Sequence, residues 1–252
     1  MVPQQWRDPF EQGPLSTTVG YVTAGTILLV LYGLLWLIAR DWMVFDFMAL
    51  WKPDANIADG LRRVWFIFVW GAASTALLQL LAFSAGYVPP HRGPAEMLFK
   101  SVWISVNAGF FEEMFYRWLV FFSAMVIVRA LNAVTFGLAE WVYTTVLLPV
   151  ANVVTFGALA PQLVNHPDWI LGAAVISSNA TFRRAHQQLG YLAVLNSWVI
   201  GIVLFWLMFN YGLVSSIIAH IAYDLVVFAT VVVLRRLRTR GPDHAISGPG
   251  PA

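Results

Sequence analysis

The sequence predicts an all-α, polytopic transmembrane bundle of about seven spans, and three observations carry that expectation. Of its 252 residues, 59% are hydrophobic and only 11% are charged, against roughly 45–50% and about 25% in soluble domains. The mean hydropathy is +0.70. The apolar runs are long and continuous, whereas a transmembrane β-barrel shows alternation in segments of about ten residues. Cysteine is absent, which excludes disulfides, thiolate metal sites and a cysteine nucleophile. A net charge of +2 is too small to suggest a nucleic-acid partner.

A span needs about 20 mostly apolar residues to cross roughly 30 Å of hydrocarbon. That test places helices near 20–39, 64–84, 97–130, 134–157, 169–186, 191–209 and 213–234. The first is expected to be a retained span. Its apolar stretch, Tyr21–Ala39, exceeds the roughly 7–15 residues of a signal-peptide core, and the preceding segment mixes Arg7, Asp8 and Glu11 with prolines. The stretch Asp41–Trp51 is expected to lie along the interface. The third helix is too long for one straight crossing and is expected to bend or to begin in the interface. The fifth carries Ser177, Ser178, Asn179, Arg183 and Arg184, so it is expected to cross only in part. The tail Gly241–Ala252, rich in Gly and Pro, reads as disordered. No internal repeat and no separate soluble domain stand out. The chain divides into 1–95 with two spans, 96–235 with the rest, and a basic, then disordered tail over 236–252.

Seven spans put the segments 40–63, the turn at Arg129, Arg183–Arg184 and the tail from Arg235 on one side. They hold Arg40, Lys52, Arg62, Arg63, Arg129, Arg183, Arg184, Arg235, Arg236, Arg238 and Arg240. Basic residues favour the cytoplasm, so the C-terminus is expected inside and the N-terminus outside. One span more or fewer upstream would flip the N-terminus alone. The expected setting is a multi-pass protein of the plasma membrane, with the lipid bilayer as its first partner.

A charge deep in a bilayer costs at least about 2.5–3.5 kcal/mol, so each one is a functional candidate. The first cluster is Phe110-Phe111-Glu112-Glu113-Met114-Phe115-Tyr116-Arg117. Glu113 and Arg117 are spaced i,i+4 and can pair one turn apart, and desolvation makes the pairing nearly obligatory. Glu112 is rotated about 100° from Glu113 and is left without an intrahelical partner. That is the profile of a general base or acid. The second cluster sets Phe182 and His186 on one face, and the third sets His220 and Asp224 on one face of the last span. A lone histidine on an apolar helix is usually a core residue, Phe182 reads as packing, and Glu113–Arg117 reads as structural. His91, His166 and His244 fall in expected loops or the tail and carry no functional claim. What tells is the conjunction of one spare glutamate, two histidines and an aspartate on three spans.

Taken in order, Glu112-Glu113-x-x-x-Arg117, Phe182-x-x-x-His186 and His220-x-x-x-Asp224 resemble the CAAX protease and bacteriocin-processing family. These are Abi-type intramembrane endopeptidases related to the type II CAAX prenyl protease. The resemblance covers roughly residues 97–234. It implies an intramembrane protease acting on a membrane-associated or lipid-anchored protein, without an obligatory cofactor. In that reading Glu112 activates water, His186 helps hold it, His220 and Asp224 stabilise the oxyanion, and Glu113–Arg117 brace the helix. An ionised aspartate only accepts hydrogen bonds, so Asp224 is expected either to be protonated or, preferentially, to orient His220, which donates. Convergence of these groups requires the fifth helix to be short, tilted or re-entrant, because His186 sits at its end.

Three alternatives stay open on the residues alone. Glu112, His186 and His220 could bind Zn²⁺, since two His and one Glu serve as ligands in metalloproteases, although the H-E-x-x-H arrangement is absent. Buried Asp, Glu and His also build proton relays in transporters, although no repeated halves with matching broken helices are seen. A non-catalytic protein that binds partners or confers immunity to a toxic peptide is the third.

Overall fold

In this computed structural model, residues 14–40, 47–86, 93–187 and 190–239 are described. Among them every regular element is helical. Helix α1 (Pro14–Ala39) carries no charged residue. A short α2 (Ile57–Arg63) is capped by Asn56, whose side-chain oxygen accepts from the Asp59 amide at 3.1 Å, and leads into α3 (Trp65–Ser84). Next, α4 (Pro94–Glu113), a π-helical stretch (Met114–Val120) and α5 (Phe121–Val134) form one unbroken rod. A second rod joins α6 (Leu138–Val142), a π-helical stretch (Tyr143–Leu147) and α7 (Leu148–Val154). The chain closes with α8 (Ala160–Leu163), α9 (Trp169–Ala185), α10 (Tyr191–Tyr211) and α11 (Leu213–Thr239).

In place of about seven spans, the described residues hold four helices long and apolar enough to cross a membrane and two shorter apolar stretches. Those long enough to cross a membrane are Trp65–Ser84, Glu96–Val134, Tyr191–Tyr211 and Leu213–Arg238, while Gly25–Leu37 and Leu138–Val154 are shorter apolar stretches. Helix α9 stops after 17 residues. The third span is one 39-residue helix, and the connection expected at Arg129 lies instead at 135–137, so Arg129 stays inside α5. The interfacial stretch expected over Asp41–Trp51 falls partly outside the described residues. Its described part, Phe47–Leu50, is a single 3₁₀ turn with Leu50 fully buried, and the next residue but one, Lys52, donates to the Phe209 carbonyl at 2.5 Å. The segment therefore closes the C-terminal end of α10 and satisfies one of its unpaired carbonyls. The expected disordered tail from 241 lies outside the described residues.

The ends of the bundle correct the expected sidedness. The Tyr211 hydroxyl donates to Asp59 at 2.7 Å, so α2 sits at the end where α10 finishes. The Arg238 guanidinium lies 4.5 Å from the Phe83 ring centroid, at the other end of α3. Lys52, Arg62 and Arg63 are thus opposite Arg235, Arg236 and Arg238, not beside them. Gly25 and Tyr32 of α1 meet Phe111 and Trp118 in the same order, so α1 runs parallel to α4 and begins at the end where α11 finishes. The cause lies in 155–168. The Val154 carbonyl accepts from Trp198, whose ring is covered by Arg183 near the end of α9, yet the Gln162 carbonyl already stands beside Gly172 near its start. The chain returns through turns and the four-residue α8 instead of a full crossing, and the parity assumed from hydropathy changes.

Helix α11 runs through the middle, packed on α3, α4 and α10. Small residues set the approach, as in membrane bundles generally. A Cβ on Gly109 would come within 2.6 Å of the Ile221 side chain and 3.0 Å of its backbone nitrogen. The main core joins Phe121, Phe122 and Met125 to Leu171, Val175, Phe205 and Met208. A second core joins Val64 and Ile67 to Leu204, Leu207 and Ala219.

Two turns are copies of one another. Asn132-Ala-Val-Thr135-Phe136-Gly137 and Asn152-Val-Val-Thr155-Phe156-Gly157 repeat at a spacing of 20. In each, the glycine amide returns to the asparagine carbonyl at 2.9 Å, and the phenylalanine takes a left-handed backbone, φ 53° and 55°. The rings are 97% and 77% exposed. This short repeat was not evident from hydropathy because it occupies turns rather than spans.

Candidate active site

Glu112 and Glu113 end α4, and Arg117 lies in the π-helical stretch that follows. Glu113 and Arg117 are both 0% exposed and stand 3.0 Å apart, Oε1 to Nη1. The contact is ionic rather than hydrogen-bonded, since no guanidinium N–H of Arg117 points at an acceptor. Its planar group is instead held by rings: Phe182 at 4.2 Å and Phe205 at 5.4 Å from Cζ to centroid.

Across the helix gap, His220 of α11 donates from Nδ1 to Glu113 Oε1 at 2.8 Å, and the Ser216 hydroxyl donates to Glu113 Oε2. Glu113 therefore answers to three groups at once. This corrects the orienting role expected of Asp224, which sits one turn after His220 on the same helix. His220 spends Nδ1 on Glu113 and turns Nε2 toward Glu112, at 3.9 Å from Oε2. Orientation comes from across the bundle, where Arg117 and Ser216 pin the Glu113 carboxylate.

His186 caps the end of α9, with Nδ1 2.8 Å from the Phe182 carbonyl. A carbonyl only accepts, so Nδ1 carries the proton, and in the neutral ring Nε2 keeps its lone pair. That Nε2 lies 3.8 Å from Glu112 Oε2. Phe182 packs against both imidazoles, 4.7 Å from His186 and 6.0 Å from His220 between ring centroids. Glu112, His186 and His220, drawn from three helices, thus meet around one carboxylate oxygen. Oε2 itself is buried and has no hydrogen-bond partner, while 31% of the Glu112 side chain and 23% of the His186 side chain remain exposed. The centre is enclosed on one side and reachable on the other.

Three supports escaped sequence reasoning. Ser178 donates to the Tyr116 carbonyl, a group within the π-helical stretch, where the regular α-helical ladder is interrupted. Asn179 donates to the Trp198 carbonyl at 3.2 Å, in a space left by Gly201. Ser216 is the third. Its signal was present: Ser215-Ser216 is a polar pair, with Ser216 one turn before His220, in an apolar helix. Of the polar run Ser177-Ser178-Asn179 in the expected partial span, Ser178 and Asn179 are fully buried donors.

As metal ligands the three residues stand wide. Nitrogen–oxygen separations of 3.8 and 3.9 Å exceed the roughly 3.3 Å edge that zinc bonds of about 2.0–2.1 Å imply for a tetrahedron. Among the described residues no group of three His, Cys, Asp or Glu is spaced to hold a metal ion. His166 takes part in the turn before α9, accepting from the Asp168 amide at 3.1 Å, and His91 and His244 lie outside the described residues.

Beside His186, where α9 gives way to α10, lies a cavity of about 660 Å³ lined by Arg183, Arg184, Gln187, Gly190, Tyr191 and Val194. Compared with known proteins, the chain matches no family model, no curated protein and no solved structure.

Proposed function

We propose that the chain is an intramembrane endopeptidase that hydrolyses a peptide bond of a membrane-associated or lipid-anchored protein with a water activated by Glu112. The observation that carries this reading is the buried, unpartnered Oε2 of Glu112, faced by the Nε2 atoms of His186 and His220 at 3.8 and 3.9 Å. The three-motif resemblance supports it. A polar atom enclosed without a partner calls for a ligand that can hydrogen-bond to it, and a water fits the chemistry of all three groups.

Glu112 takes a proton from that water as the oxygen attacks the substrate carbonyl carbon. His186 accepts the water's second hydrogen at Nε2 and fixes its position. His220, as the imidazolium, keeps its Nδ1 bond to Glu113 and donates from Nε2 to the developing oxyanion. The proton held on Glu112 then passes to the leaving nitrogen as the C–N bond breaks. A placed base contributes about 10²–10⁴ in rate, and loss of one oxyanion donor costs about 10²–10³. Glu113, Arg117 and Ser216 act through His220 as positioning residues. The end bearing Arg183, Arg184, Arg235, Arg236 and Arg238 faces the cytoplasm in this reading, with both the start of α1 and the end of α11 on that side, in the plasma membrane.

The test compares peptide termini, by mass spectrometry, in membranes incubated with the wild-type chain or Glu112→Gln. Termini that arise with wild type and vanish with Glu112→Gln and His220→Ala are expected. Equal termini with the folded Glu112→Gln protein, or none with wild type, would overturn the proposal.

A further inference from the structure

We infer that the cavity at the α9–α10 junction is a binding site for a phosphate-bearing anion, presented by an anionic lipid of the adjacent leaflet. Its lining is divided by chemistry. Arg183, Arg184 and Gln187 supply cationic and amide donors, whereas Tyr191 and Val194 supply an aromatic and an aliphatic wall. Among the described residues no acidic side chain lines it. A phosphate headgroup continued by acyl chain asks for that division, and basic pockets between transmembrane helices are where such headgroups bind.

The two arginines are set differently. Arg183, itself exposed, lies over the Trp198 ring, its Cζ 5.9 Å from the centroid. Arg184 is exposed and forms no ion pair within 4 Å among the described residues. Both belong to the last turn of α9, where the helix dipole favours cations, so their charge is kept without an internal carboxylate. Tyr191, 96% exposed at the first position of α10, stands where an aromatic ring lies at headgroup level. The cavity also shares its end of the bundle with Arg235, Arg236 and Arg238 of α11. Because Arg184 and Gln187 bracket His186 in the chain, an occupant would stand beside the candidate active site. The inference does not depend on that site being catalytic.

The experiment follows thermal unfolding of the full chain in dodecyl maltoside micelles by tryptophan fluorescence. Three probes are titrated separately: dihexanoyl phosphatidylglycerol, dihexanoyl phosphatidylcholine and inorganic phosphate. Phosphatidylglycerol is expected to raise the midpoint with an apparent affinity at least tenfold tighter than phosphatidylcholine. Arg183→Gln/Arg184→Gln should lose at least tenfold of that affinity, and Arg236→Gln/Arg238→Gln, with the same charge removed from the same end, should keep it. Saturable protection by phosphate alone, equally lost in Arg183→Gln/Arg184→Gln, would identify a free phosphate as the ligand of the same site. The inference is overturned if the Arg183/Arg184 variant binds like wild type, if both double variants lose affinity alike, or if the two lipids protect equally. None of these readings uses peptidase activity, so failure here and failure of the proposed function are separate results.

Discussion

Replacing Arg117 by methionine removes a guanidinium while keeping an unbranched side chain of similar reach. Glu113 would then remain at 0% exposure with two hydrogen-bond donors, Ser216 and His220, and without its guanidinium. Truncating one member of a buried ion pair costs about 3–5 kcal/mol, mostly because the other charge is stranded. The stacking of the guanidinium on Phe182 and Phe205, at 4.2 and 5.4 Å, adds up to about 2 kcal/mol when desolvated, which sets Arg117→Met toward the upper end of that range. Glu113→Gln/Arg117→Met removes both charges together and should recover much of the loss, since neutral replacements of buried pairs are often close to neutral in stability. Reversible unfolding in mixed dodecyl sulfate and dodecyl maltoside micelles, read by far-ultraviolet circular dichroism, measures all three variants. An Arg117→Met loss below about 1 kcal/mol, the range of exposed pairs, would refute the reasoning. A double variant as unstable as the sum of its singles would refute it too.

Two further outcomes are expected. Tyr211 donates to the Asp59 carboxylate at 2.7 Å and Arg63 at 3.0 Å, which holds that carboxyl below its usual range. A lowered folded value contributes stability that is complete above the unfolded pKa of about 3.9 and vanishes as pH falls through the folded one. The stability gap between wild type and Asp59→Asn should therefore be flat from pH 7 to 5 and close below pH 4; a gap that instead widens on acidification would contradict this. At Phe136 the backbone is left-handed and the ring is 97% exposed. Phe136→Gly relieves a strain of about 1–2 kcal/mol, less the extra chain entropy of glycine, about 0.5–1 kcal/mol. A net gain of about 0–1.5 kcal/mol in micelles follows, and a lowered unfolding midpoint would count against it.

Buried charge was the legible part of this chain. Glu112, His186 and His220 stand out in apolar sequence because each is costly at depth, and the structure brings them to one oxygen. The partner of each group was less legible. Spacing along a helix pairs Glu113 with Arg117, which the structure contains, and pairs His220 with Asp224, whereas His220 is held by Glu113 from another helix. Local spacing fixes what shares a face but not which face a neighbouring helix presents. The crossing pattern failed for a similar reason. Hydropathy marks 134–157 and 169–186 as two separate candidate spans, and nothing in their composition says that 155–168 turns back to the start of α9. The paired turns ending in Phe136-Gly137 and Phe156-Gly157 were written in the sequence and went unread, because a phenylalanine is not an ordinary signal for a left-handed position.

The widened turn at Met114–Val120 has a consequence for how one rod can serve a polar centre and an oily one. Glu113, Arg117, Phe121 and Met125 are all at 0% exposure, a seam that recurs every fourth residue. In a regular α-helix such a seam precesses by about 40° at each step and would wander outward within a few turns. The looser winding beneath Arg117 cancels that drift, so carboxylate, guanidinium, ring and thioether all point inward. Ordinary winding over the same residues, with none removed, would swing everything downstream, Phe121 first, out of line with Glu113.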